Sequence, residues 1–217
     1  MPHCSEFKVS VFGKTYPASF KIAGDYNVSN CCAVIAVMNA LGFDIEYVIK
    51  NIAECSGVRG RCESIPTGRD FSVTCDYAHT PDALENVLKT LREIATDREL
   101  ICLFGCGGDR DKTKRPEMGK IAQKMSDRII VTSDNSRTEK TADIMADIKE
   151  GMDTSGKAKS LFIEDREQAI RTAIMIAGQG ATILLAGKGH ETYQIIGNEK
   201  KHFDEKEIVA QIFNEMN

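Results

Sequence analysis

The spacing of hydrophobic residues along the chain changes near residue 70. Before that point, FKVSVFG and YPASFKI predict two short strands joined at Gly13 and Lys14. The apolar run NVSNCCAVIAVMNALG then predicts a helix that Asn27 caps and Gly42 ends. DIEYVIKNIAE predicts a second helix, capped by Asp44, with its apolar positions on one face.

From Phe71 onward, strand and helix patterns alternate about five times with short connections. The apolar, β-branched strands are FSVTCDY, LICLFG, RIIVTS, SLFI and ATILLAG. Thr80 and Pro81 begin the first helix of this region, and Asp165 with Gln168 resembles a capping box for a later one. The alternation predicts an α/β fold with an open, mostly parallel sheet and helices on both faces.

The composition argues against several classes of protein. The 217 residues carry a formal net charge of −4, whereas a nucleic-acid-binding protein normally has a basic face. No apolar run approaches the about 18 residues that span a bilayer, and no secretory signal is visible, so we expect no membrane partner. The eight cysteines include no CxxC pair, so we expect buried, reduced thiols in a cytoplasmic protein and no metal site.

Two short sequences share part of a phosphate-binding loop. FGKT at residues 12–15 has the end of a Walker A motif but lacks its earlier glycine, so a hairpin is the better interpretation. GCGGDR has two glycines of the dinucleotide-binding fingerprint, but Arg110 stands where the third would be. Neither sequence therefore predicts a nucleotide site.

Polar sequences follow four of the predicted strands: DYAHTP, GCGGDRD, TSDNSRTE and GKGHE. Ligands of open α/β sheets bind at the carboxyl ends of the strands, which is where these sequences fall. In the second, Gly105, Gly107 and Gly108 would let the chain turn sharply and approach a ligand, and Arg110 could hold a carboxylate. A solvated loop with internal ion pairs, Asp109 to Lys112 or Asp111 to Arg115, is equally consistent.

The third and fourth strand ends carry opposite charges. Asp134 could receive an ammonium group, Asn135 could orient it, and Arg137 could receive a carboxylate, which suits an amino acid. For this segment alone, a polar turn before a helix capped by Thr138 or Thr141 is the favoured interpretation.

GKGHE adds further groups that could bind a ligand. Glu191 is a second acidic partner for an amine. His79 in DYAHTP and His190 here could be structural or catalytic. Charged, glycine-bearing ends on several strands of one sheet together favour a ligand site more strongly than any one of them.

These motifs resemble the Mur ligase family. The resemblance rests on GDYNVSNCCAVIAVMNALG, GVRGRCE, DYAHTPDALENVL, FGCGGDRDKTKRPEMG, TSDNSRTE, DREQAI and AGKGHETYQ, which span roughly residues 20–205. They are most similar to members that add the third residue of the peptidoglycan stem peptide. The resemblance implies that residues 1–70 form the end of the central ATP-binding domain. Residues 71–217 would form the Rossmann-like carboxyl-terminal domain, which binds the amino acid.

The resemblance also implies an activity and its partners. Such ligases use ATP and Mg²⁺ to activate the glutamate carboxyl of UDP-MurNAc-L-Ala-D-Glu as an acyl phosphate, which the amine of meso-diaminopimelate attacks. The family's glycine-rich ATP loop, with its lysine and threonine, is not in this sequence. We therefore expect a fragment that needs the missing amino-terminal and central regions for ligase activity and that itself supplies no catalytic residue.

Site residues follow from the resemblance position by position. The expected diaminopimelate site consists of Arg110, Asp134, Asn135, Ser136, Arg137, Gly187 and Glu191. Arg137 would hold the distal carboxylate, which lysine lacks. Ser136 stands where the family motif has proline, and this change costs some preorganisation of the turn.

The resemblance assigns a second group of residues to ATP. Asn27 and Asn30 resemble the asparagines beside the adenine. Arg61 and Asp76 resemble the residues that meet the phosphate and ribose, and His79 would lie near the same cleft.

Three alternatives remain open. The chain could come from a lysine-adding member of the same family, or it could be a non-catalytic amino-acid-binding module. A related ligase that adds a different amino acid, or glutamates to folate, is the third. The pair Arg110 and Arg137 argues against this last alternative, because a substrate with a single carboxylate needs only one such clamp.

Overall fold

A computed structural model describes residues 4–216 of the chain. The backbone divides into two units, Met1–Val58 and Arg59–Asn217. The first unit contains, in order, the strands β1 (Ser5–Val11) and β2 (Lys14–Phe20) and the helices α1 (Asp25–Ala40) and α2 (Ile45–Glu54). The two strands pair antiparallel, which confirms the hairpin and makes the GKT sequence part of its turn and second strand.

Two of the three expected helix boundaries in the first unit are close to those observed. The side chain of Asp44 accepts a hydrogen bond from the Tyr47 amide, which confirms it as the cap of α2. Gly42, with φ of 87°, follows the end of α1. Asn27 was wrongly expected to cap α1: the helix begins earlier, after Gly24, and the Asn27 side chain donates to the Ala23 carbonyl at 2.8 Å.

The second unit is built on a six-stranded sheet. In spatial order its strands are β3 (Glu63–Ile65), β4 (Ser72–Asp76), β8 (Thr182–Ala186), β5 (Leu100–Phe104), β6 (Arg128–Val131) and β7 (Ser160–Phe162). β3 pairs antiparallel with β4, and the other four pairings are parallel. The predicted α/β fold with a mostly parallel sheet is confirmed.

Helices cover both faces of this sheet. They are α3 (Pro81–Ala95), α4 (Lys114–Met125), α5 (Thr141–Glu150), α6 (Thr154–Ala158), α7 (Arg166–Ile176) and α8 (Glu205–Glu215). Apolar residues of α3, α4 and α5 pack with Leu100, Cys102 and Phe104 on one face. Those of α7 and α8 pack with Ile101 and Leu103 on the other. Successive side chains of a strand point to opposite faces, so β5 contributes to both cores.

Several elements lay outside the sequence-based expectations. The hairpin of β9 (Tyr193–Ile196) and β10 (Glu199–His202), the strand β3 and the short helix α6 were not predicted. Thr80 and Asp165 do cap α3 and α7. Neither Thr138 nor Thr141 caps α5, whose first flanking residue is Lys140. Thr138 instead donates its hydroxyl to Asp109.

Residues 59–70 belong to the second unit, whereas we expected the division of the chain at residue 70. Their placement has a clear physical cause: β3 hydrogen-bonds to β4, and the Ile65 side chain is buried in the core beneath α7 and α8. Glu63 also forms an ion pair with Lys206 at 2.5 Å, and Arg59 pairs with Asp204.

None of the eight cysteines, all of which lie within residues 4–216, forms a disulfide bond. The expectation of buried thiols holds for four of them, Cys31, Cys75, Cys102 and Cys106. Burial raises the pKa of the Cys102 and Cys106 thiols to about 12, because a thiolate would lose its hydration there. Within residues 4–216, no helix is long and apolar enough to cross a membrane.

Candidate functional site

The carboxyl ends of β4, β5, β6 and β8 meet at one edge of the sheet, because these strands are parallel. Backbone hydrogen bonds join the segments that follow them. The Gly187 amide donates to the Asp76 carbonyl at 3.0 Å, and the Gly108 amide donates to the Asn135 carbonyl at 2.9 Å. The polar sequences that we singled out therefore form one connected surface.

The glycines after β5 allow two backbones to approach each other. A Cβ atom at Gly105 would lie 2.3 Å from the Thr132 carbonyl oxygen, and one at Gly108 would lie 1.9 Å from that of Ser136. We expected these glycines to let the chain approach a ligand, but the close neighbours of both are the backbone after β6. At Gly107 the nearest atom is instead the Arg137 Nη1, at 3.1 Å.

The side chains of Arg110 and Arg137 both approach Gly107: a Cβ atom there would lie 3.8 Å from the Arg110 Cγ and 3.1 Å from the Arg137 Nη1. The Arg137 Nη1 donates to the carbonyl oxygens of Gly108 at 2.9 Å and Asn135 at 3.2 Å. The Arg110 side chain is exposed and its Nη1 donates to the Asp109 carbonyl at 3.0 Å. Each guanidinium carries five N–H donors, so both arginine side chains have donors left for an anion.

The backbone of Arg137 adopts a left-handed conformation, with φ of 51°. Its amide donates to the Ile195 carbonyl, and its carbonyl accepts from the Gly197 amide at 2.7 Å. A residue with a side chain keeps such a conformation only where its surroundings fix it. The β9–β10 hairpin therefore sets the direction of the Arg137 side chain.

Asp134 and Glu191 form the acidic side of the site, together with a residue that we did not predict. Lys188 is fully buried, and its ammonium nitrogen lies 3.5 Å from Asp134 Oδ1 and 3.3 Å from Glu191 Oε2. Asn135 links the two acids, because its Nδ2 donates to Glu191 at 2.9 Å and its backbone amide donates to Asp134; its Oδ1 accepts from the Ile195 amide. The negative charge of the Glu191 carboxylate raises the pKa of the nearby Tyr193 hydroxyl.

Gly187 lies against this acidic group with φ of 115°. A Cβ atom there would be 3.2 Å from Asp134 Oδ2. Glycine therefore leaves open the space beside that oxygen, while Oδ1 accepts from the Asn135 amide at 2.7 Å.

A buried ion pair, Arg166 with Glu205, holds the segments that carry the site residues. Arg166 is fully buried and donates to Glu205 at 2.9 Å, to the Ser133 carbonyl at 3.0 Å and to the Ala186 carbonyl at 2.8 Å. These carbonyls immediately precede Asp134 and Gly187, so Arg166 fixes the positions of both. The Cys75 thiol donates to Glu205, and burial raises the pKa of that thiol.

Glu139 organises the charged residues after β5. Its carboxylate accepts from Arg115 at 2.8 Å, from Lys112 at 3.0 Å and from the Asp109 amide at 2.7 Å. These donors, Arg115 first, lower the pKa of Glu139 to about 2.

The ion pairs that we considered for this loop, Asp109 with Lys112 and Asp111 with Arg115, are not the ones observed. Lys112 and Arg115 pair with Glu139, and Arg115 also pairs with Asp147. Asp109 and Asp111 instead accept hydrogen bonds from Thr138 and Thr113.

An aromatic cluster lies beyond β4. The Arg61 guanidinium lies over the Tyr77 ring, 4.9 Å from its centroid, and the rings of His79 and His190 lie 4.6 Å and 5.1 Å from the Tyr77 ring. Lys114 donates to the His79 carbonyl at 2.7 Å. Arg61 is exposed, so this cluster offers one accessible cation beside aromatic faces.

Asp76 has a different environment from that expected of a ligand-binding carboxylate. It is buried and accepts from the Cys62 amide at 2.6 Å and the Ala78 amide at 2.7 Å. Burial raises its pKa, and the two backbone donors partly offset this effect. Asp76 therefore ties the Arg61 loop to the end of β4.

The other two residues assigned to ATP, Asn27 and Asn30, lie on α1 of the first unit. Asn30 is exposed, whereas Asn27 is buried with its side chain bonded to the preceding backbone.

The described residues fit a nucleotide and a metal ion to different degrees. Arg61 over Tyr77 suits an anion such as a phosphate group. By contrast, no three His, Cys, Asp or Glu side chains within residues 4–216 are grouped to hold a metal ion.

Lys188, Arg166 and Glu139 were missing from the predicted site. Lys188 could have been suspected because it lies between Gly187 and Glu191 in a predicted ligand loop. Arg166 and Glu139 stand in the quoted segments DREQAI and TSDNSRTE, but nothing in the sequence indicated their supporting roles, because a charged residue at the start of a helix or in a polar loop is normally exposed.

Comparison with known proteins places the chain in a family. Residues 60–189 match the family model described as Mur ligase, glutamate ligase domain. The match covers more than half of the chain, and the chain belongs to the Mur ligase family.

Individual relatives are considerably longer than this chain. The UDP-N-acetylmuramoyl-L-alanyl-D-glutamate–2,6-diaminopimelate ligase 1 of Clostridium acetobutylicum is 46% identical over 98% of this chain and 44% of its own length. The corresponding ligase of Trichormus variabilis is 50% identical over 86% of this chain and 37% of its own. The chain spans less than half the length of these curated relatives.

Comparison with solved structures finds a protein of the same name as these relatives. The structure of a UDP-N-acetylmuramoyl-L-alanyl-D-glutamate–2,6-diaminopimelate ligase matches 97% of this chain and 43% of its own, with 36% identity and a TM-score of 0.71. A pseudomurein peptide ligase type C from Methanothermus fervidus matches with the same TM-score at 16% identity, which shows the shared fold alone.

Proposed function

We propose that this chain is the amino-acid-binding part of an ATP-dependent ligase that joins meso-diaminopimelate to UDP-MurNAc-L-Ala-D-Glu. One observation carries the proposal: the side chains of Arg110 and Arg137 both lie beside Gly107, and two carboxylates, Asp134 and Glu191, follow β6 and β8, the strands on either side of β5. Meso-diaminopimelate has an amine and a carboxylate at each end, which complements such an arrangement. The names of the relatives support the same substrate.

Each proposed site residue has a role that its geometry permits. Arg137, with Arg110 beside it, binds the distal carboxylate, because a guanidinium can hold a carboxylate by two parallel hydrogen bonds. Asp134 and Glu191 receive the distal ammonium group, and Asn135 and Ser136 form the turn between the charges. Gly187 leaves space beside the Asp134 oxygen.

The chemistry follows from what a carboxylic acid needs to form an amide. ATP supplies a phosphoryl group to the glutamate carboxyl, and phosphate then leaves when an amine attacks the acyl carbon. This chain's part is to hold the attacking amine in one orientation, which lowers the entropic cost of the step. Arg61 is suited to a phosphate group of the nucleotide, because it is an exposed cation.

The first unit has a separate place in the proposal. We infer that it is the end of the central ATP-binding domain, where Asn27 and Asn30 lie on the adenine side and Mg²⁺ is held by residues outside this sequence. The ligase would act in the cytoplasm, where its nucleotide substrates are made.

A calorimetric titration tests the proposal. The chain is titrated with meso-diaminopimelate and, separately, with L-lysine, which has the same spacing between its two amines but no distal carboxylate. We expect Arg137→Ala to weaken diaminopimelate binding about tenfold to hundredfold, the value of a lost charged hydrogen bond. Arg98→Ala is the control, because this exposed arginine precedes β5 at the opposite edge of the sheet.

The outcomes separate the alternatives. Binding of diaminopimelate alone supports the proposal. Equal binding of lysine in the chain and in Arg137→Ala would instead indicate a lysine-adding enzyme. If diaminopimelate at millimolar concentration releases no heat and shifts no resonance of the chain, the proposed site is refuted for this chain.

A further inference from the structure

Lys188 places an ammonium group in the middle of the acidic side of the site. Its side chain is fully buried, and its nitrogen lies within 3.5 Å of oxygens from Asp134, Asn135 and Glu191. The rings of Tyr193 and Phe203 lie 5.8 Å away. A buried lysine is rare unless it is paired, and here every polar neighbour is an oxygen acceptor.

The charges of this cluster favour a specific function for the lysine. Two carboxylates placed so near each other with little exposure would repel, and each would lose hydration. The Lys188 ammonium offsets one of the two negative charges. One net negative charge remains, which is the charge that a single ligand ammonium group complements.

Lys188 also connects the two loops that carry the acids. Asp134 and Asn135 follow β6, whereas Glu191 follows β8. The lysine bonds to all three, and Asn135 donates in turn to the same Glu191 oxygen that accepts from Lys188. Asp134 Oδ1 faces Lys188, whereas Oδ2 lies on the side of Gly187, where glycine leaves the position of a Cβ atom unoccupied.

We propose that Lys188 is a positioning residue of the amino-acid site: its ammonium group holds Asp134, Asn135 and Glu191 together so that the two carboxylates receive one ammonium group of the ligand. This inference rests on the proposed function for the identity of the ligand. The arrangement of the three side chains is independent of the proposed function, and it can be measured without any ligand.

Two variants separate the charge of Lys188 from its volume. Lys188→Ala removes the side chain beyond Cβ and leaves a space that n-propylammonium fills, whereas Lys188→Met fills the space without a charge. The Asn135 side-chain amide is the probe, because it donates to Glu191 only when the cluster is intact. Its proton exchange is followed by NMR, and diaminopimelate binding is followed by calorimetry.

We expect both variants to lose protection of the Asn135 amide and at least about tenfold in diaminopimelate affinity, the equivalent of about 1.4 kcal/mol. Added n-propylammonium should restore both properties in Lys188→Ala and neither in Lys188→Met. Lys200→Ala is the matched control, because Lys200 is an exposed cation 3.7 Å from the same Tyr193 ring, and it should behave as the original chain does.

Three results would overturn the inference. One is unchanged exchange of the Asn135 amide in both variants. Another is equal rescue by n-propanol, which has the volume but not the charge. The third is tighter diaminopimelate binding in Lys188→Ala, which would mean that the lysine occupies the ligand's own position. If the original chain fails to bind diaminopimelate, the proposed function is refuted, and the NMR measurement still decides the role of Lys188.

Discussion

The individual glycines after β5 have different neighbours, and these neighbours decide what each position tolerates. Gly105 and Gly108 lie against backbone atoms, which cannot rotate away, whereas Gly107 lies against the end of the Arg137 side chain. A methyl group would therefore disturb the fold at the first two positions and the proposed ligand site at the third.

Gly108→Ala should destabilise the chain by about 1–3 kcal/mol, the usual cost of an overpacked position. Its Cβ would lie 1.9 Å from the Ser136 carbonyl oxygen, so the two loops would have to separate. Urea unfolding measures the loss, with Gly178→Ala as the control because its nearest neighbour would be 3.7 Å away. Equal midpoints for the two variants would contradict the observed packing of these loops.

Glu139 predicts a pH dependence of stability. Its pKa in the folded chain is about 2, well below the ordinary value of 4.5, so the unfolded chain binds its proton more readily. The stabilisation is therefore complete above about pH 4.5 and is lost as the pH falls toward 2.

The comparison of the original chain with Glu139→Gln isolates this effect. Urea midpoints at pH 7 should be clearly lower for the variant, and the difference should shrink by pH 3. A difference that stays constant from pH 7 to pH 3 would show that the charge of Glu139 does not provide the stabilisation.

Sequence reasoning identified the residues of the site that carry an evident ligand-binding group. Arg137, Asp134 and Glu191 were singled out because they follow strands, and the structure places them at one sheet edge. The sequence could not reveal roles that depend on neighbours distant along the chain. Lys188 meets Asp134 across 54 positions of the sequence, and Asp76 meets Cys62 across 14.

The strands and helices of the second unit are held at the site edge by the pair Arg166 and Glu205. Arg166 begins α7 and Glu205 begins α8. The arginine also binds the carbonyl of Ala186, which ends β8, and that of Ser133, two residues after the end of β6. One buried side chain thus connects four elements.

Arg166→Met should destabilise the chain by about 3–5 kcal/mol, because it leaves the Glu205 carboxylate buried without its partner. The double variant Arg166→Met, Glu205→Leu should recover much of this loss, since no unpaired charge remains. Urea unfolding of both single variants and the double variant gives the coupling energy. Additive losses would show that the two residues do not act as a pair.

The predicted elements with regular apolar patterns were found, and those with short or polar sequences were not. The strand ATILLAG is buried on both faces and was predicted, whereas β10 has the sequence EKKH and is exposed. A polar strand held mainly by its hairpin partner has no hydrophobic pattern to reveal it. The Asn27 cap failed because a glycine cap fits the same local pattern three residues earlier.

At the scale of the whole molecule, the sheet, both of its cores and the proposed amino-acid site all belong to the unit Arg59–Asn217. The first unit has its own small core, formed by Val9, Cys31, Ile35, Val48 and Ile52. The position of the boundary between the units therefore determines which fragment retains the site.

A fragment of residues 59–217 should unfold cooperatively and at a higher temperature than a fragment of residues 71–217. The shorter one loses β3, the buried Ile65 side chain and the ion pairs of Arg59 and Glu63. Circular dichroism of both fragments measures the difference. Equal melting temperatures would show that residues 59–70 contribute nothing to the second unit, as a boundary at residue 70 would require.

The central claim is that one end of meso-diaminopimelate is held between the arginines beside Gly107 and the carboxylates of Asp134 and Glu191. The most direct measurement is a crystal structure of the chain with this ligand. We predict that one ligand carboxylate lies within hydrogen-bond distance of the Arg137 guanidinium, and that the ammonium group at the same end meets Asp134 and Glu191. A ligand bound elsewhere, or one with an ammonium group against Arg137, would contradict the account.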